Sequence, residues 1–513
     1  METKYFFYVD YDSSFILESN YAKTILIGSD LGYGNFGDIL QQRGCIDFHR
    51  KYSTNKIVGI IDAQAINDSQ YIEFIKKALN FDAIIVVSEI ELSFDQNIIS
   101  LQLLHFVYNV NIIHLYGGGF LNEKWGNYVL GITEEFLTLF TPNLYIVSGQ
   151  QISNIFIDRL IPHLKLFKPA VFGCRDDMSF RWMTETGYSP HFSFDDATEE
   201  LQKLAQQLQL QKGRGVLLHL NISDYTFNFY DINDNLLKEI DTLLQLCSTN
   251  NLPITLFQAY NDKRLVVLDT RETLKELDKT ILFYNYRVIE LANIAYNLSS
   301  YHFEPICGNF AYSCSYHVAL LMQLAGIPCW LRGFNEYYLQ KRHALQINQN
   351  FKEFLKEPQL ANHSTNLARR AEWCDHLASL LSVAENHKIT KIDYSNNNIG
   401  TTFVFKSNNL QAIKNEIQML QTKLKEAKHS LNIAKKENES LNSIILGLGE
   451  NITQLGSLSH NYILRAEVAE KKILSLSTEI MQIKQSYNDL INSTSWKITK
   501  PLRKVMDKIR MMR

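Results

Sequence analysis

The chain has 513 residues, 46% of them apolar and 20% charged, a soluble globular balance on a chain too long for a single core. Its 51 basic and 54 acidic residues leave a net charge of −3, so no nucleic-acid partner is expected. The seven cysteines are dispersed and form no C-x-x-C pair, which argues against a disulfide framework or a zinc site and for a reducing compartment. The N-terminus lacks the basic and apolar regions of a signal peptide, and no apolar run is long enough to span a bilayer. A cytoplasmic protein is therefore expected.

Residues 1–23 read as an N-terminal extension. Short β-rich runs then follow at 24–27, 57–61, 83–87, 111–115, 144–147 and 170–174, separated by helix-length stretches. That alternation is the mark of βαβ units on a parallel sheet. A polar helical stretch at 197–212 leads to a second series at 216–220, 254–258, 281–284, 301–307 and 329–331. The expected fold is α/β, with two Rossmann-like domains (24–196 and 197–345) facing across a cleft and bracing helices at 346–395.

Residues 396–405 form a polar linker. From 406 to 491, apolar residues recur at spacings of three and four, as in Leu410, Ile413, Ile417, Leu420, Leu424, Ala427 and Leu431, with no proline between Pro358 and Pro501. This predicts a long C-terminal coiled coil, roughly 120 Å of helix. Asn438 falls at an a position, where a buried amide favours a parallel homodimer in fixed register. The tail 492–513 is basic and amphipathic, with seven basic residues and one acidic from Lys497 onward. It suits peripheral contact with an anionic membrane or a partner protein, or is simply the solvated end of the rod.

Four polar motifs each follow a predicted strand, where ligands of open α/β sheets bind. The first is Gly32-Tyr33-Gly34-Asn35-Phe36-Gly37-Asp38. It matches a G-x-G-x-x-G dinucleotide turn, with Asp62 at the next strand end, but residues 28–31 separate it from its strand. It reads equally as a glycine-rich loop leading into a helix whose free N–H groups would face an anion. Gly117-Gly118-Gly119 would let a ligand approach the backbone. Arg175, before the candidate N-cap Asp176, is a clamp for phosphate or carboxylate, or a structural Arg–Asp pair. His317, after Ser315 at a helix start, is a general acid or base, or a half-buried structural histidine. Asp195 and Asp196 close the first half as caps or acids.

In order, Gly34-Asn35-Phe36-Gly37-Asp38, Gly117–Gly119, Arg175-Asp176-Asp177-Met178-Ser179 and Ser315-Tyr316-His317 with Gly326-Ile327-Pro328 resemble the motifs of the polysaccharide pyruvyl transferase family over residues 24–345. The resemblance implies a GT-B-like architecture and transfer of pyruvate from phosphoenolpyruvate, as donor substrate and without a cofactor, to two hydroxyls of a glycan or lipid-linked sugar. It implies His317 as the acid and Arg175 as the anion clamp. Asp38 and Asp195 stand as candidate bases, and Gly34, Asn35, Gly117, Gly118, Gly119 and Ser315 as binding positions. Many members carry arginine where Ser315 stands and others carry serine; Arg332 is a candidate for the missing charge. No metal ligands are assigned. The segment 492–503 is similar to a short C-terminal signature found after coiled coils in bacterial surface-glycan glycosyltransferases, which points to the inner face of the plasma membrane. A nucleotide-sugar glycosyltransferase of the same architecture and a non-catalytic scaffold remain as alternatives.

Overall fold

The structure, a computed structural model, describes residues 5–386 except 11–12, 30, 67–69, 93–97, 102–108, 224–235, 261–266, 278, 280–285, 298–303 and 334. The expected linker, coiled coil and basic tail lie outside the described residues, as do the expected strand at 281–284 and the start of that at 301–307. The described residues within 7–88 and 98–386 belong to one compact unit that contains both sheets described below.

The first sheet holds β1 (Phe6–Asp10), β2 (Lys23–Ile27), β3 (Lys56–Asp62), β4 (Ala83–Ser88), β5 (Ile98–Ser100), β6 (Val110–Leu115), β7 (Gly118–Leu121), β8 (Leu144–Ile152), β9 (Val171–Cys174) and β10 (His191–Phe192). Its order is β10-β9-β8-β6-β2-β3-β4-β1-β5, with β7 beside β8. Strands β2, β4 and β6 are buried along their whole length, as apolar runs covered on both faces must be. All pairings from β10 across to β4 are parallel. The chain runs outward from β2 on one side and from β6 on the other, so the strand order reverses between them. A ligand crevice belongs at such a switch point.

The second sheet consists of β11 (Leu210–His219), β13 (Ile254–Gln258), β15 (Arg287–Glu290), β16 (Ile306–Ser313) and β17 (Cys329–Leu331), in the order β15-β13-β11-β16-β17. It is parallel throughout. A small antiparallel pair, β12 (Ile222–Ser223) and β14 (Val267–Leu268), stands apart. The order here reverses between β11 and β16.

Two expectations are corrected. Residues 6–10 are not part of an extension; as β1 they extend the first sheet beside β4. Strand β16 spans Ile306–Ser313, so it runs on past the expected end at Cys307. Gly308 packs inside the strand, where a Cβ would stand 2.6 Å from the Leu217 side chain.

The bracing helices divide between the halves. Phe354, on the helix Phe351–Lys356, joins the core of the second sheet. Trp373, Leu377, Leu381 and Ala384, on the helix Ser364–Asn386, pack on Ile112, Leu144, Ile146 and Val171 of the first. The halves also meet directly. Arg43, on the helix Phe36–Tyr52, donates to the carbonyls of Ala295 (3.1 Å) and Tyr296 (3.0 Å). Among the described residues, no helix is long and apolar enough to cross a membrane.

Candidate functional site

The loop after β2 turns through Gly32 (φ +93°) and Gly34 (φ +76°), left-handed positions that favour glycine. Asn35 then caps the helix Phe36–Tyr52, its side chain accepting from the Gly37 N–H at 3.0 Å, while the Phe36 N–H donates across the halves to Ala259 O at 2.9 Å. Two of the first donors are thus taken, and Asp38 adds negative charge to the same turn. The helix start is not the free anion cradle that the glycine spacing suggests. Asp62 is similarly committed, one oxygen accepting from Gln64 N and the other from Tyr128 Oη, both at 2.7 Å. That local use argues against the ribose-binding role expected in a dinucleotide site.

The glycine triplet follows β6 at the switch point. Gly117 N–H donates to Asp196 Oδ2 at 2.8 Å, and Gly117 O accepts from Ser29 Oγ at 3.2 Å. Gly118 opens β7. Asn122 donates to Gly119 O at 2.7 Å. A Cβ at Gly119 would lie 2.5 Å from Tyr337 Oη and 3.1 Å from Arg175 Nη2, so the missing side chain lets both groups reach this backbone.

Arg175 stands just beyond β9 and is 1% exposed. Its Nη1 lies 3.2 Å from Asp195 Oδ2, its Nη2 donates to Gln151 Oε1, and its guanidinium carbon sits 4.2 Å over the Tyr316 ring. Its buried Nε has no hydrogen-bond partner among the described residues. Burial works against the charge, but Tyr316 and Asp195 outweigh it and raise the pKa. Asp176 caps the following helix through the Ser179 N–H (2.9 Å) and hydroxyl (2.8 Å), the local reason for the Arg-Asp-x-x-Ser spacing.

His317 lies on the helix Tyr316–Leu324, its Nε2 3.4 Å from Asp195 Oδ2. Asp195 also accepts from Gln41 Nε2 (3.2 Å) and Ala197 N–H (2.9 Å). Burial alone would raise its pKa; His317, then Arg175 and the Ala197 N–H, hold the carboxyl below the usual range instead. Asp195 is fully buried and surrounded by donors, so its place is to hold Arg175 and His317 rather than to deprotonate a substrate. Asp38 differs: desolvation pushes its carboxyl above the usual range, against the pull of His317, Ser29, Lys341 and Arg175. A raised carboxyl beside an imidazole is suited to proton transfer.

Ser315 precedes that helix with no capping bond from its side chain, its backbone N–H and carbonyl both bonded to Ser313 Oγ at 2.9 Å. Arg332 is buried, its Nε 3.0 Å from Glu239 Oε2 in the same half. That ion pair engages one edge of the guanidinium within the second half.

Lys341, on the helix Glu336–Ala344, did not stand out in the sequence. Its amine lies 3.9 Å over the Tyr337 ring and 4.8 Å over Tyr338, and no carboxylate is within ion-pair distance among the described residues. Burial, with Arg175, pushes the amine well below its usual range, while Asp38 and Asp195 pull it back. Gln151, Tyr337 and Gln41 were also missed. A lysine in a polar helix reads as solvated, and no spacing marks it otherwise.

No protein family matches this chain, nor does any curated protein. Among solved structures, a protein assigned as a UDP-N-acetylglucosamine 2-epimerase from Listeria monocytogenes is 9% identical with a TM-score of 0.37, over 72% of this chain and 94% of that one. The UDP-GlcNAc 2-epimerase from Methanocaldococcus jannaschii is 13% identical with a TM-score of 0.30, over 69% of this chain and 99% of that one. Neither likeness is close enough to carry an argument about chemistry.

Proposed function

We propose that the chain is an enzyme, a transferase of the polysaccharide pyruvyl transferase type. It would move pyruvate from phosphoenolpyruvate to two hydroxyls of a glycan or lipid-linked sugar, on GT-B-like paired halves. The observation that carries this reading is the grouping of two buried basic side chains, Arg175 and Lys341, with His317 and the raised carboxyl of Asp38. Phosphoenolpyruvate presents a phosphate, a carboxylate and an enol carbon, so it needs two cations and one proton donor. With Ser315 in the place of an arginine, Lys341 supplies the second basic group, its amine held protonated by the bound phosphate or carboxylate.

In this reading His317 gives a proton to the enol methylene while one sugar hydroxyl adds to the neighbouring carbon and loses its proton to Asp38. Phosphate then leaves with the C–O bonding electrons. The second hydroxyl attacks the resulting cation and gives its proton to the now neutral His317, closing the cyclic ketal, while the departing phosphate takes the proton held by Asp38 and both groups are restored. Arg175 and Lys341 stabilise the phosphate and carboxylate in a site largely shielded from water. We further propose dimerisation through the heptads and attachment of the basic tail to an anionic membrane or a glycan-assembly partner, at the cytoplasmic face.

A thermal-shift panel tests the donor. Phosphoenolpyruvate should stabilise the protein in proportion to ln(1 + [L]/Kd), and NAD should not. Stabilisation by nucleotide sugars alone would indicate a glycosyltransferase, and no response to any of them a scaffold. Phosphate release that requires a sugar acceptor would complete the case.

A further inference from the structure

Asp195 and Asp196 are neighbours with separate sets of partners. Asp195 engages Arg175, Gln41 and His317; Asp196 accepts from Gly117 N–H, Ser148 Oγ and Arg370 Nη1. The turn that presents them begins at buried Phe194, whose φ of +54° lies in the left-handed region. A bulky aromatic enters that region only where its surroundings enforce it.

One side chain spans the turn, holding a carbonyl before that residue and a carboxylate after it. Arg370, on the helix Ser364–Asn386, donates Nη1 to Ser193 O at 3.1 Å just before Phe194 and to Asp196 Oδ1 at 2.7 Å just after it. Its Nε and Nη2 take the two oxygens of Glu199, each at 2.9 Å. Arg370 is 7% exposed and Asp196 is buried, so the charge-assisted bond between them is shielded from water, whereas Glu199 is partly exposed. Ser193 reaches the same region by another route, its Oγ accepting from Gly149 N–H at 2.9 Å.

We propose that Arg370 is a positioning residue for the site. It clamps the strained turn, and the turn fixes the Asp195 carboxylate against His317 and Arg175 and fixes the Gly117 N–H that sets the glycine loop. It touches no reacting atom. The link to turnover rests on the transferase reading; the link to the geometry of the turn and loop does not.

The test uses the full chain with Arg370→Met and Glu199→Gln, followed by hydrogen exchange of peptides covering 115–120 and 192–198. Arg370→Met should speed exchange in both peptides by about tenfold or more and lower kcat for phosphate release by a similar factor. Glu199→Gln loosens only the outer grip and should speed exchange at 192–198 by about threefold with little change in melting temperature. A purely structural arginine would lower the melting temperature with no change confined to these peptides. Folded Arg370→Met with exchange and kcat near wild type would overturn the proposal. If that variant does not fold, unchanged exchange in Glu199→Gln would overturn it. If the wild type turns over no phosphoenolpyruvate, the transferase reading falls, and exchange still decides the role of Arg370.

Discussion

The backbone of Gly37 is pressed against the imidazole of His317, so closely that a Cβ on Gly37 would stand 1.8 Å from Nδ1. The two residues belong to different halves. The ring is therefore seated by the first half although the second half carries it, and Asp195 stands 3.4 Å from its other nitrogen.

Gly37→Ala should displace that ring. We expect turnover to fall by about 10²-fold or more and stability by about 1–3 kcal/mol, the range for forcing a methyl group into a packed site. Assays of kcat beside melting curves check this, and unchanged kcat would mean that the ring has no catalytic use for this seat.

His317→Ala, with Gly37 intact, should lower kcat by about 10²–10⁴ with little effect on phosphoenolpyruvate affinity. Pre-steady-state turnover together with calorimetric binding separates the two quantities. Wild-type kcat would remove His317 from the mechanism.

Lys341→Met and Arg175→Ala should both weaken phosphoenolpyruvate binding, each by about 1.5–3 kcal/mol, the worth of a lost charge-assisted contact. Their effects on stability should differ in sign. Removing the buried, unpaired amine of Lys341 relieves a desolvation penalty, so the melting temperature should hold or rise. Removing Arg175 strips buried Asp195 of a partner and should destabilise by about 3–5 kcal/mol. Calorimetry and thermal melts on the two variants decide it; loss of stability without loss of affinity at Lys341 would make it a structural residue.

Acid should unfold the protein earlier than its carboxylates alone would dictate. Burial holds His49 down at about 3 and His363 at about 4, and burial with His49 and Arg370 holds His114 well below 6.5. Their folded pKa values lie below the unfolded ones, so their contribution is complete above pH 6.5 and is lost as pH falls below it, because the unfolded chain takes up protons first. Each contributes a slope of up to about 1.4 kcal/mol per pH unit in that window. The raised carboxyls of Asp38, Asp176 and Asp196 act in the opposite sense within their own range. Denaturant melts from pH 7 to 4.5 should show falling stability, with a shallower slope in His49→Gln; a flat profile would contradict the buried neutral pair His49–His114.

Removing residues 406–513 should leave a monomeric folded core, since the heptads are the proposed dimer contact. Light scattering on the truncated and full chains tests this. A dimeric core would place the contact elsewhere.

The strands were legible where burial on both faces made them apolar, as at 83–87 and 111–115. The polar motifs were legible because a parallel sheet brings the carboxyl ends of its strands to one edge, and Gly119, Arg175 and His317 follow from that rule. What sequence could not supply is pairing at long range. Gln151 meets Gln340, Arg370 meets Asp196, and Phe36 meets Ala259 across 100 residues or more, so each of these side chains or donors reads as solvated in its own segment. The helix start at Phe36 is likewise closed to an anion in part by a distant partner, Ala259, and in part by its own cap, Asn35.

Trp373, Leu377 and Leu381 complete the core of the first sheet from the far end of the described chain. During synthesis, Ile112, Leu144, Ile146 and Val171 therefore have only the partial cover of Phe48 and Tyr52 until the helix Ser364–Asn386 has emerged. The second half is synthesised inside that interval, and the nascent first half is expected to be open to aggregation or chaperone capture. A ribosome stalled before residue 364 would leave those side chains partly uncovered, whereas one stalled well into the heptads would not.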